Sequence, residues 1–272
     1  MRSSALLVGT LLAATALAFP SSKTRFDARM ARRANGTSHL SATKFDASTA
    51  RRAKYSSHPK VTNETHIEYS SNWAGAVLNA GPGTWSTVEG TFNIPVPGPA
   101  PGQSVGAASA WVGIDGDTCG SAILQTGVDF IYEDGGVSYD AWFEWYPDYA
   151  YDFSGITISP GDSITAVVET ASTTLGYAFI INNSNGQEVG VEISSPYALC
   201  EQDAEWIVED FEENGGLVPF ANFGTVTFNG AVAGTTGGGS VGPAGANVFD
   251  IEQGSILTSS SVGGSSITVS YI

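Results

Sequence analysis

Short runs in which apolar and polar residues alternate, bounded by Gly, Pro, Asn and Asp, fill residues 69–272. A period of two sends successive side chains to opposite faces of a pleated strand. The runs predict strands at Trp73–Leu78, Thr84–Ile94, Ala107–Ile114, Ala122–Tyr132, Tyr139–Tyr146 and Ile164–Glu169. Five more fall at Tyr177–Ile181, Glu188–Ile193, Ala204–Phe211, Thr225–Val232 and Ile267–Ile272. No window carries a helix-length apolar stripe at a period of 3.6, and no repeat of 20–50 residues is present. Closely spaced strands with turn signals between them point to a single all-β domain, an antiparallel sandwich or barrel. The stretch Thr235–Gly245, rich in Gly, Thr and Ser, reads as an exposed loop or hairpin end.

Alternation also sorts the polar side chains by face. Gln125 and Asp129 project together from Ala122–Tyr132, away from Leu124, Val128 and Phe130. Asp140, Trp142, Glu144 and Tyr146 share one face of Tyr139–Tyr146, and Glu205, Ile207, Glu209 and Phe211 share one face of Ala204–Phe211. Three strands thus set carboxylates or an amide beside aromatic rings, a composition that suits a groove for an extended polymer, polypeptide or glycan. A strand Gln or Glu is, however, usually a solvated surface residue, and aromatics near a corner are usually packing.

The first quarter of the chain is different. Residues 1–18 have a charged start at Arg2, an apolar stretch Ala5–Leu17 and a small-x-small end at Ala16–Ala18, the pattern of a secretory signal peptide. Residues 19–67 are polar and basic, with dibasic pairs Arg32-Arg33 and Arg51-Arg52, and cannot bury enough apolar surface to fold alone. They read as a pro-segment, removed on maturation to leave a mature domain of residues 68–272. Sequons at Asn35, Asn63 and Asn182 fit secretion, Asn182 being the glycosylation candidate of the mature domain. Cys119 and Cys200 are the only cysteines, and in an oxidising compartment they would pair. Closing a loop of that length adds about 4–5 kcal/mol in the chain-entropy picture.

Charge narrows the chemistry. The chain has 11 Lys and Arg against 27 Asp and Glu, a net charge of −16. All of its Lys, Arg and His lie before residue 67, where only Asp27, Asp46 and Glu64 supply acid, so the remainder carries 24 carboxylates and no cationic side chain. Such a body lacks the Lys and Arg that phosphate contacts need, which excludes a nucleic-acid partner. Beyond the N-terminus no run of about 18 apolar residues exists to span a membrane. Without His or Lys, the body cannot build a Ser-His-Asp triad, a Cys-His dyad, a His-ligated zinc site or a Schiff base. Carboxylates, carboxamides, tyrosines and backbone N–H groups remain, so proton transfer would fall to a carboxyl group.

Longer motifs carry more. SAWVGIDGDTCG (109–120), ILQTGVDF (123–130), YDAWFEWYPDYAYDFSGITIS (139–159) and AEWIVEDFEE (204–213) closely resemble the glutamic peptidases, or eqolisins. YSSNWAGAVL (69–78) and VPFANFGTVTF (218–228) extend the resemblance over nearly the whole body. The resemblance implies a sandwich of two seven-stranded antiparallel sheets, made as an inactive precursor and acting as a secreted, pepstatin-insensitive acid endopeptidase without a metal or cofactor. It places the catalytic dyad on Gln125, in ILQTG, and on Glu209, in EDF, rather than on Glu205. It assigns Trp111, Asp115, Asp129 and Asp140 to lining or supporting the cleft, together with Trp142, Glu144, Phe211 and Glu212. It places the family's disulfide on Cys119 and Cys200. A monomer is expected, whose partners are polypeptide substrates and its own pro-segment as inhibitor. A close member of the family carries a long insert after its second strand that is excised to leave two chains; here Pro95–Gln103 is short and has no basic residue, so one mature chain is expected.

The residues allow that chemistry. A Glu carboxyl can take a proton from water and return it to a leaving amine, while a Gln amide can hydrogen-bond the oxyanion and its carbonyl can orient the water. Neither Asp-Thr-Gly nor Asp-Ser-Gly occurs, which counts against a paired-aspartate protease. Two alternatives stay open: a β-sandwich glycoside hydrolase working through Glu144 and Glu209, and a non-catalytic acidic lectin.

Overall fold

The computed structural model describes residues 67–272 apart from 134, 214 and 215. The signal peptide, all of the pro-segment before residue 67, and the sequons at Asn35 and Asn63 lie outside the described residues. In chain order the first strands are β1 (Ile67–Ser70), β2 (Trp73–Asn79), β3 (Trp85–Asn93), β4 (Val105–Ile114), β5 (Ile123–Glu133) and β6 (Gly136–Tyr146). Next come β7 (Tyr151–Asp152), β8 (Ser163–Ser172), β9 (Leu175–Asn182), β10 (Gln187–Ser194), β11 (Asp203–Glu209) and β12 (Glu212–Glu213). The chain closes with β13 (Gly216–Leu217), β14 (Thr225–Thr235), β15 (Ser240–Val241), β16 (Asn247–Ile251), β17 (Thr258–Val262) and β18 (Ser266–Tyr271). Each run predicted by alternation overlaps one of these strands, and Thr235–Gly245 is the exposed end of β14 with the short β15.

Two sheets stack into a β-sandwich. The first has the order β1-β16-β2-β11-β4-β5-β6-β7, and the second β10-β9-β8-β3-β14-β18-β17 with β15 beside β14. Each therefore has eight strands, or the expected seven once the two-residue β7 and β15 are set aside. Pairing is antiparallel except at one edge, where β1 runs parallel to β16. A two-stranded hairpin, β12 with β13, projects after β11.

The core lies between the sheets. From the first sheet come Ala110, Val112, Val128, Phe130, Trp206 and Val208, and from the second Val88, Phe92, Val168, Ile180, Phe228 and Val269, all fully buried. Phe92 stands edge-on to Phe130 and Phe228, with ring centres 6.4 and 5.3 Å apart, an arrangement favoured by the ring quadrupoles. Each such side chain contributes about 1.5–3 kcal/mol by leaving water. A second, smaller apolar cluster of Val77, Trp111, Trp142, Ile207 and Phe249 sits on the opposite face of the first sheet. The central strands of that sheet are thus covered on both sides, which is why β4 is buried along nearly its whole length.

The Cys119–Cys200 disulfide forms, and Asp115 reinforces it. Asp115 takes a left-handed backbone (φ 69°), and its carboxylate accepts the N–H groups of Cys200, Glu201 and Gln202 at 2.7, 2.8 and 2.9 Å. Asp203 mirrors it, accepting the N–H of Thr118 at 2.7 Å and of Cys119 at 3.1 Å. These paired carboxylates lock the end of β4 to the start of β11 and fix the register of the two strands.

Candidate active site

Three rows of side chains cross the outer face of the first sheet, and the strand register sets their membership. One row reads Trp73, Glu209, Ser109, Asp129, Asp140; the middle row Gly75, Ile207, Trp111, Gly127, Trp142; the third Val77, Glu205, Gly113, Gln125, Glu144. Two glycines break the run of bulky side chains in the middle row for a steric reason. A Cβ on Gly127 would overlap the Ala110 carbonyl oxygen and the Trp111 Cβ, and one on Gly75 would overlap the Trp206 carbonyl. The indoles of Trp111 and Trp142 form the floor in the space so left. Trp142 Nε1 donates to Ser109 Oγ at 3.0 Å, which holds that ring in place.

Glu209 ends β11 and stands at one corner of this face. Its Oε1 accepts a hydrogen bond from Asn72 Nδ2 at 2.8 Å, and its Oε2 one from Trp111 Nε1 at 2.8 Å. Trp73 packs edge-on to Trp111, ring centres 5.0 Å apart, and closes the side. Although one side of the carboxyl opens to the cleft, the surrounding protein pushes its pKa up to about 7; burial is the leading cause, and the donors from Trp73, Trp111 and Asn72 oppose it. A Glu at its reference value near 4.3 would be partly ionised at pH 3–4. In this site it is instead a neutral acid at such pH.

Gln125 lies across β4 from β11 and is 7 % exposed. Its Nε2 donates to Glu144 Oε2 at 3.0 Å, fixing the amide, while its buried Oε1 has no hydrogen-bond partner. Glu144 faces it directly across the β5–β6 ladder. No hydrogen bond is formed between Gln125 and Glu209; the two reach from diagonal corners over Trp111.

The other predicted residues fall into three groups. Trp111, Trp142, Asp129, Asp140 and Glu144 stand in the rows, Asp129 buried opposite half-buried Asp140 in the row of Glu209. Phe211 and Glu212, both half-buried, follow Glu209 where the chain turns into the β12–β13 hairpin. Asp115 stands outside the rows and acts as the bracket described above. Asn182 needs a correction: it is fully buried, its Nδ2 donating to Thr157 O at 2.9 Å and to Asp162 Oδ2 at 2.7 Å, so the folded domain leaves no room for a glycan there. Glu205 also departs from the usual exposed strand Glu. It is fully buried, neither oxygen makes a well-formed hydrogen bond, and burial together with Asp203, Asp117 and Asp115 pushes its pKa well above the carboxylate range. Asn72 and Trp73 were not singled out by alternation, because Asn72 lies in the turn between β1 and β2; the quoted motif YSSNWAGAVL contains both.

Among the described residues, Asp115, Cys119 and Cys200 come within metal-binding distance of one another, but both sulfurs are in the disulfide and Asp115 is occupied by backbone amides. The outer face of the first sheet thus brings together an enclosed carboxyl that accepts from Asn72 and Trp111 and an anchored amide whose carbonyl oxygen has no partner.

The chain belongs to the Peptidase A4 family, which matches residues 71–271. It is 50% identical over 292 aligned positions to aspergillopepsin-2 of Aspergillus niger, covering 100% of both chains. It is 44% identical to scytalidopepsin B of Scytalidium lignicola, over 77% of this chain and 81% of that one. Among solved structures, scytalido-glutamic peptidase with a peptide-based transition-state analogue superposes with a TM-score of 0.66 at 43% identity, covering 74% of this chain and 98% of that one. Aspergilloglutamic peptidase of Aspergillus niger gives 0.60 at 62% identity, over 61% and 99%. The chain is thus an enzyme of the glutamic peptidase type.

Proposed function

We propose that the protein is a secreted acid endopeptidase that hydrolyses polypeptides with Gln125 and Glu209. The observation that carries this reading is the state of Glu209: a carboxyl with a pKa of about 7, clasped by Asn72 and Trp111, on the same face as an anchored amide. At pH 3.5 such a group is ionised in only about one molecule in 10³–10⁴. The reaction therefore starts from the neutral acid. As water attacks the scissile carbonyl carbon, the Glu209 hydroxyl gives its proton to the carbonyl oxygen, and the other Glu209 oxygen takes a proton from the water. A neutral gem-diol forms and the carboxyl is restored. In the second half Glu209 protonates the amide nitrogen and takes a proton from one diol hydroxyl as the C–N bond breaks, leaving acid and amine. Gln125 contributes its free Oε1 to orient the water and its second Nε2 hydrogen to the developing oxyanion. Aromatic floor and acidic walls without a cation suit an extended chain, and at acid pH the walls are largely uncharged.

The test is digestion of denatured haemoglobin or casein by the mature domain at pH 2–4, with and without pepstatin, beside a panel of oligosaccharides. Cleavage of peptide bonds that pepstatin leaves untouched is expected. Release of sugars without peptide cleavage would replace this reading with the glycoside hydrolase, and binding of sugars without any turnover with the lectin.

A further inference from the structure

We propose that Gln253 and Asp210 are positioning residues of the active site: together they hold the turn at residues 70–72 so that the Asn72 amide stays on the Glu209 carboxyl. The inference rests on the reading of Glu209 as the proton carrier. Asn72 takes part in no strand ladder, so its amide is only as well placed as the turn that bears it. That turn is held at three consecutive carbonyls. Ser70 O accepts the Glu252 N–H at 2.9 Å, Ser71 O accepts Gln253 Nε2 at 2.8 Å, and Asn72 O accepts the Asp210 N–H at 2.9 Å. Gln253 alone among the three donors uses a side chain, and its amide has a second hydrogen to give. That hydrogen goes to Asp210 Oδ2 at 2.7 Å. The bonds close a circuit from Glu209 through the peptide to Asp210, then Gln253, Ser71, Asn72 and back to Glu209.

The two members differ in setting. Asp210 is 1 % exposed, whereas Gln253 is exposed on the loop between β16 and β17, where its own N–H bonds Ser255 O at 3.0 Å. Its replacement therefore removes no core side chain, although it takes a donor from the buried Asp210 carboxyl, and a loss of activity beyond any loss of stability would report on the turn. A misplacement of about 1 Å at a catalytic group can cost up to about 10²-fold in rate, and one hydrogen bond at a partly exposed site is commonly worth about fivefold.

Gln253→Leu keeps an apolar stem one atom shorter than glutamine and removes both bonds. Its kcat on a peptide substrate at pH 3.5 should fall about fivefold with KM within about twofold, while the melting temperature stays within about 2 °C. Gln253→Glu, mostly neutral at that pH and keeping one donor, should recover part of the loss. Asn72→Ala should lose more, and adding Gln253→Leu to it should change kcat by less than about twofold, because the clasp then has nothing to position. Full kcat in Gln253→Leu, or losses that multiply in the double variant, would overturn the proposal. Full kcat in Glu209→Gln would instead overturn the reading of Glu209, whatever Gln253 does.

Discussion

Glu209→Gln should lower kcat/KM at pH 3.5 by about 10³-fold or more, and Gln125→Ala by about 10²–10³-fold, with the fold and the disulfide intact. The first figure follows from removing the group that, in the proposed reaction, both gives and takes the proton, an effect of about 10²–10⁴ for general acid–base catalysis. The second follows from removing a preorganised donor at an oxyanion. Both side chains reach the surface of the cleft, and neither contributes to the core between the sheets. Glutamine at 209 can still accept from Asn72 or Trp111 through its carbonyl oxygen, so the geometry around it survives while the acidic proton is gone. Quenched-peptide kinetics with near-ultraviolet circular dichroism checks this. A folded Gln125→Ala at wild-type rate would remove the amide from the dyad. Glu205→Gln is the control, since at acid pH it swaps one neutral group for another and should stay within a few-fold of wild type.

The same Glu205 variant should gain stability toward neutrality. Fully buried, Glu205 is surrounded by Asp203, Asp117 and Asp115, and the body from residue 67 onward holds no Lys, Arg or His to pair with it. Its folded pKa lies well above its unfolded value, as do those of Glu209 and Asp210, each pushed up to about 7 chiefly by burial. The folded state therefore binds more protons than the unfolded one. Stability is fully present below the unfolded pKa of about 4.3 and is lost as pH rises above it, toward the folded values of about 7 for Glu209 and Asp210. The wild-type domain should accordingly melt highest in acid, against the common maximum between about pH 5 and 8. Glu205→Gln removes one of the buried ionisations. It should melt about 5 °C or more above wild type at pH 7 and within about 1–2 °C of it at pH 3.5. Thermal melts of the two proteins across that range decide it; equal melting temperatures at pH 7 would show that Glu205 is not among the groups whose ionisation unfolds the domain.

How much of this was legible in the sequence depends on what each residue faces. Alternation located the strands that have one dry face, such as β9. It missed β16, whose Val248, Phe249, Asp250 and Ile251 are buried on both sides, and β17, whose buried face is Thr258 and Ser260 rather than aliphatic. It also gave no hint that β1 runs parallel to its neighbour, since β1 is four residues long and sits at an edge. In the site, Glu205 and Glu209 share a face and a strand, so period alone could not part them; the motif match did. Their environments explain the choice. Glu209 meets the amide of Asn72 and the indole of Trp111, whereas Glu205 is buried between Val77 and Gly113 with Asp203, Asp117 and Asp115 nearby. Those neighbours come from residues about 100 or more positions away in the chain, and only the folded register brings them there. Asn182 shows the converse, a readable sequon whose side chain the fold has already used.

The most direct test of the central claim, that Glu209 begins the reaction as a neutral acid, is the pH dependence of kcat/KM on a peptide without ionisable side chains. Rates taken within the first seconds after a jump from pH 3.5 would outrun any unfolding. The account predicts a level profile across the acid range and a fall as pH rises toward about 7, with the fall missing from the residual activity of Glu209→Gln. A rate that instead climbs about tenfold per unit from pH 3 to 6 would mean that the carboxylate starts the chemistry, and would contradict it.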